Sequence, residues 1–172
     1  MKERKRSEFR ARLPEVLKTS GTTIAVRGQK IPHSKILKAI QRDPDLSGDL
    51  ADIYRRKVLT QKTRTIRLLG KKAPAKILNT LLGYEVQASY KRIQCPDLVT
   101  ARYIRLFSEL GCHSIQLPYD PTVTAALIPE MEAAVEKITE SAREMFPGDP
   151  QLQNYVLRNI YAIIRHSLRF SQ

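Results

Sequence analysis

From Ile53 to Tyr84 the chain carries no acidic residue, and within that window the stretch 55–76, RRKVLTQKTRTIRLLGKKAPAK, holds nine lysines and arginines. Like charges at this density repel one another in any compact arrangement unless an anion, salt or solvent offsets them. The stretch therefore cannot be folded onto itself cheaply. A polyphosphate neutralises such a run most economically, because each phosphate met by a cation releases condensed counterions.

The charge is unevenly placed. Residues 1–112 carry 25 basic and 10 acidic side chains, residues 113–172 five and seven, and the whole chain has a formal charge of +13. A basic two-thirds joined to a near-neutral tail implies one surface for an anion and another for something else. With 172 residues and 42% hydrophobic side chains the chain can bury a core, which excludes a wholly disordered protein. No apolar run approaches a membrane span and no secretory segment is legible, so the expected location is the cytoplasm, with Cys95 and Cys112 reduced and buried.

Three regions are expected: a basic arm over residues 1–13, a basic α+β domain over 14–120, and a helical hairpin over 121–172. A short helix is predicted from Pro14. Alternation of Thr22, Ile24 and Val26 with Gly28 behind them predicts a β-hairpin over 21–31. Ser34 can cap a helix over 35–42, stopped by Asp43-Pro44-Asp45. A second helix, 47–59, would bury Leu50, Ile53, Tyr54 and Val58. Two short helices joined in this way also fit a helix-turn-helix, although Asp49 and Asp52 at the start of the second count against it.

Residues 61–69 alternate as a strand. Residues 75–83, AKILNTLLG, read as a helix with Ile77, Leu78, Leu81 and Leu82 on its core face, and 85–94 as one strand with Val86, Ala88 and Tyr90 on one side. The clearest helix runs from Asp97 to Gly111 and turns Val99, Tyr103, Leu106 and Leu110 to the core, with Arg102, Arg105 and Glu109 opposite. A strand, HSIQLPY, follows. Strand, helix and strand in succession fit a crossover unit in a small mixed sheet, or a winged arrangement. The tail predicts a helix ending near Phe146, a break at Pro147-Gly148-Asp149-Pro150, and a last helix with Val156, Ile160, Ile163 and Ile164 on one face. The expected class is α+β, predominantly helical, with small mixed sheets or hairpins, about six helices and a C-terminal antiparallel helical hairpin.

No phosphate loop, dinucleotide fingerprint, CxxC pair or HExxH is present, and His33, His113 and His166 share no ligand-like spacing. Cys112-His113 is the one pair that suggests a nucleophile and base, but neighbours on a strand point to opposite faces. Neither a catalytic role nor a metal or cofactor is expected.

Binding requires less. The expected function is non-enzymatic binding of duplex DNA, in a regulatory or architectural role, with phosphate contacts from Arg55, Arg56, Lys57, Lys62, Arg64, Arg67, Lys71, Lys72 and Lys76, joined by Arg102 and Arg105. Duplex is favoured over single strands because only 6% of residues are aromatic and none is Trp; DNA is favoured over RNA. A homodimer or protein partner would use residues 121–172. The alternative is a protein adaptor using that same acidic-faced hairpin, with RNA binding third.

Overall fold

The computed structural model describes residues 23–26, 29–32 and 44–169. The basic arm and the helices expected from Pro14 and over 35–42 lie outside them. The chain divides into two compact units, Met1–Ser47 with Lys137–Ile163, and Gly48–Glu136 with Ile164–Gln172.

In the first unit, strands β1 (Thr23–Val26) and β2 (Gln29–Pro32) pair antiparallel from Thr23↔Pro32 to Val26↔Gln29. The expected hairpin is there. This unit also holds the turn between the two tail helices, α3 (Pro121–Met145) and α4 (Pro150–Arg169). Gly148 takes φ +82°, and Asp149 caps α4 by accepting from Leu152 N at 2.9 Å. Gln153 Nε2 donates to Phe146 O at 2.8 Å, so the first turn of α4 holds the start of the preceding loop, just after α3. Ile138, Ala142, Phe146, Leu152, Val156 and Ile160 are buried.

The second unit carries the remaining strands. Helix α1 (Pro44–Ile53) begins earlier than the spacing predicts and runs into one π-helical turn, Tyr54–Val58. Leu50, Tyr54 and Val58 are buried, as expected, whereas Ile53 is only partly covered. Strand β3 (Thr63–Arg67) pairs antiparallel with β7 (Ser114–Pro118), and β4 (Ala75–Thr80), β5 (Gly83–Ala88) and β6 (Lys91–Cys95) form an antiparallel meander. Helix α2 (Leu98–Leu110) packs on the meander, chiefly against β5 and β4. Its limits follow its sequence. Asp97 accepts from Thr100 N at 2.7 Å as N-cap, and Gly111 closes the C-terminus at φ +78°.

Three expectations are corrected. Among the described residues there are four α-helices, against about six, every strand pair is antiparallel, and there is neither a mixed sheet nor a crossover: β6 and β7, on either side of α2, join different sheets. Residues 75–83 form strand β4, the two-residue turn Leu81–Leu82 and the first residue of β5. A nine-residue helix leaves four N–H groups at its start and four C=O groups at its end without partners, whereas β4 pairs along its length from Ala75↔Ala88 to Thr80↔Gly83. Ile77 then sits beside buried Val86, and Leu81 and Leu82 stand exposed at the tip. Residues 85–94 are two strands, not one. They are joined by a tight turn in which Ser89 has φ +55°, and this turns Tyr90 out to solvent.

The core of this unit is built on α2. Tyr103 and Phe107 have ring centroids 4.9 Å apart, and Phe107 meets Tyr54 edge-on at 5.6 Å. Two tyrosine hydroxyls finish the outer edge of β7: Gln116 N donates to Tyr54 Oη, and Tyr103 Oη donates to Gln116 O, each at 2.7 Å. These bonds satisfy backbone groups that a further strand would otherwise take. Burial first, and then neighbouring Tyr54 and Cys112, hold the Tyr103 hydroxyl well above its usual pKa, so it stays a donor.

Candidate nucleic-acid interface

The expected contact residues fall into three groups. The first lies on the π turn, whose wider register leaves Arg55, Arg56 and Lys57 exposed between buried Tyr54 and Val58. Arg55 stands 3.8 Å from Asp52, one turn back. Lys57 Nζ donates to both carboxylate oxygens of Glu130 on α3, at 2.8 and 2.6 Å. Arg56 is exposed, and its carbonyl accepts from Thr60 Oγ1.

The second group follows β3 into the meander. Lys62 lies over the Tyr119 ring, 5.8 Å from its centroid, a cation–π distance. Arg64 and Arg67 alternate across β3, so they take opposite faces of the ribbon. The face of Arg67 carries Thr63, Thr65 and Gln116, whose amide oxygen accepts from both hydroxyls at 3.3 Å. Lys71 and Lys72 occupy the loop after Gly70, pressed against the C-terminal end of α2. Cations at that end suit the helix dipole, and Arg165 adds one by donating to Leu110 O at 2.6 Å. Lys76 is exposed on β4.

Arg102 and Arg105, on α2, form the third group. Arg102 Nε and Nη2 grip the carboxylate of Glu132, and Arg105 Nη2 lies 3.7 Å from the same carboxylate. The hydrogen bond that Arg102 donates to Glu132 raises its pKa further. Arg105 also stands 4.0 Å from Glu109, while its Nε is buried without a hydrogen-bond partner. These two arginines thus tie α2 to α3. Charge spacing along the chain could not reveal this, because Glu132 lies 30 residues from Arg102.

The tail acids have the complementary fate. Glu130 and Glu132, two of the glutamates on the outer side of the tail helix, neutralise cations of the basic region. Cys95 and Cys112 are buried and form no disulfide, and His113 is exposed. Burial, and then Asp97, push the Cys95 thiol up to about 11, against the lowering effects of a Val86 backbone hydrogen bond and the charge of Arg64. Among the described residues no helix is long and apolar enough to cross a membrane. Compared with family models, curated proteins and solved structures, the chain matches none.

Lys91 and Arg92 belong with the second group, although neither stands out in the sequence. They sit at the start of β6, in a segment whose alternation reads as the middle of a single strand. The missed signal is the break at Ser89-Tyr90, which lacks the Asn-Gly or Asp-Gly pair that marks tight hairpins.

Proposed function

We propose that this protein binds nucleic acid without enzymatic chemistry, duplex DNA ahead of RNA or single strands, through the basic surface centred on residues 55–76. The observation that carries the reading is the distribution of carboxylates. Arg56, Arg67, Lys71 and Lys76 are exposed and have no carboxylate within salt-bridge distance among the described residues, while Glu130 and Glu132 are already taken by Lys57 and Arg102. Unmatched cations on one compact unit are what a polyanion neutralises with a gain in counterion entropy.

The aromatic side chains favour a duplex. Tyr54, Tyr103 and Phe107 are core residues, and Tyr90 and Tyr119 are the large aromatics exposed among the described residues. Two separate rings make a poor stacking track for single strands. The role fitting such a surface is regulatory or architectural, and a cytoplasmic setting goes with two cysteines that form no disulfide.

Fluorescence anisotropy on matched duplex DNA, single-stranded DNA and duplex RNA, from low to above-physiological salt, tests this. Duplex DNA is expected to bind most tightly, with log affinity falling linearly in log salt at about 0.9 per phosphate met. Loss of binding to all three at physiological salt would overturn the reading.

A further inference from the structure

The second unit has four edge strands, and three of them are guarded against pairing with another chain. Backbone groups at the outer edge of β7 are taken by Tyr54 and Tyr103. Strand β3 carries Arg64 and Arg67, and β6 carries Lys91 and Arg92; cations on an edge strand oppose pairing. Strand β4 has one lysine in six residues, and neither a proline nor an acid. Among the described residues no strand pairs with its outer edge, and none of its own residues is buried.

The register of the meander shows which groups that edge offers. Ala88↔Lys91 closes the two-residue turn between β5 and β6, so Ala88, Val86 and Tyr84 exchange hydrogen bonds with β6. The alternate residues of β5, Gly83, Glu85 and Gln87, therefore bond to Thr80, Leu78 and Lys76 of β4. Ala75, Ile77 and Asn79 are left with N–H and C=O groups directed away from the sheet. Leu78, in the middle of the strand, stands 38% exposed.

We propose that β4 pairs antiparallel with β4 of a second copy of this chain, about a twofold axis through Leu78, joining two meanders into one six-stranded sheet. A twofold axis normal to the sheet keeps outer side chains opposite outer side chains, so it passes through a residue of β4 and not between two. Through Lys76 it would set two ammonium groups face to face. Through Ile77 it would leave each Leu78 opposite a lysine, and through either end of the strand the ladder would run out. Through Leu78 it lays that leucine against its own mate, in a pair without backbone bonds, where side chains come closest. Lys76 then stands opposite the Thr80 hydroxyl, and Ile77 and Asn79 exchange hydrogen bonds between the copies. The Leu81–Leu82 turns remain in solvent at the two ends of the ladder.

A ladder of five residues a side belongs with weak interfaces, so the association depends on concentration. Each copy carries a formal charge of +13. Screening of that repulsion strengthens the dimer as salt rises, whereas nucleic-acid binding weakens. The dimer goes beyond the nucleic-acid reading and does not rest on it.

Sedimentation velocity of the full chain, freed of nucleic acid and run over a range of concentrations at above-physiological salt, should show a monomer–dimer equilibrium. Asn79→Pro removes one outward N–H from each copy at an edge position where proline is tolerated. It should keep the circular dichroism of the wild type and raise the dissociation constant about tenfold or more. Under mild oxidation Leu78→Cys should cross-link into a dimer, because its Cα atoms meet across the axis. Lys76→Cys should not, since its two copies lie roughly 13 Å apart along the strands and a disulfide needs Cα atoms within about 7 Å. The wild type, whose Cys95 and Cys112 are buried, sets the background. If Asn79→Pro does not fold, the two cysteine variants decide alone. Equal cross-linking of Leu78→Cys and Lys76→Cys, or none in either, would overturn the proposal. So would a chain that is monomeric at every concentration, or a dimer that a folded Asn79→Pro leaves as tight as before.

Discussion

A Cβ placed on Gly111 would stand 2.6 Å from the amide nitrogen of Lys72 and 3.1 Å from the carbonyl carbon of Lys71. Those neighbours are backbone, so they cannot rotate away as the end of a side chain would. Gly148 has nearly the same backbone conformation, φ +82° against +78°, but nothing lies within 4 Å of its Cβ position. The two glycines therefore separate the cost of conformation from the cost of contact. Alanine at Gly148 should cost about 1 kcal/mol, the left-handed penalty alone. At Gly111 the same substitution should cost a further 1–3 kcal/mol, roughly, for the overpacking. Urea unfolding of both variants measures the difference; equal losses would mean that the Lys71–Lys72 loop gives way freely and is not held against α2.

Among the elements, β4 is the most informative. The apolar residues of β4 and the turn after it, Ile77, Leu78, Leu81 and Leu82, have helical spacing, but the ladder to β5 satisfies the backbone better than a short helix could. The two alternatives differ in what they bury. As a helix the segment would place Leu81 and Leu82 in the core, and removing each would cost about 2–5 kcal/mol. At a hairpin tip in solvent, Leu81→Ser and Leu82→Ser should each change stability by less than about 0.5 kcal/mol. Thermal melts of the two variants decide it, and a loss in the core range would contradict the hairpin. The helix ends were legible where a cap stood alone, as with Asp97 and Gly111. They were misread where Asp precedes Pro: Asp43-Pro44 reads as a stop, yet α1 starts at Pro44. In α3, likewise, Pro121 is the first residue, and Asp120 accepts from Thr122 N at 2.8 Å. Proline suits the first helical position because its missing N–H would have no partner there. The turn at Ser89-Tyr90 stayed hidden for a different reason, since serine at positive φ is not a residue that announces a turn.

For the whole molecule, the basic stretch was visible in the sequence but its division was not. Counting charges groups Lys57, Arg102 and Arg105 with Arg67 and Lys76, and only tertiary contact assigns the first three to Glu130 and Glu132. What remains unmatched, within a chain of net charge +13, is a field that opposes folding. Salt acts on this field and on the ion pairs in opposite senses. Screening weakens attraction in the pairs, but half-exposed pairs are worth only about 0–1 kcal/mol each, whereas repulsion among the surplus cations is summed over many longer distances. Those distances lie within the range that salt controls, because the Debye length falls from about 30 Å at 0.01 M to about 10 Å at 0.1 M. The melting temperature of the chain should therefore rise over that interval of sodium chloride. It should rise further on adding a short duplex DNA at the higher salt, since a ligand bound only by the folded state stabilises it by mass action. Differential scanning calorimetry reads both steps. A melting temperature that falls with salt would show that the Lys57–Glu130 and Arg102–Glu132 pairs outweigh the surplus charge, and the unmatched cations would then have no need of an anion.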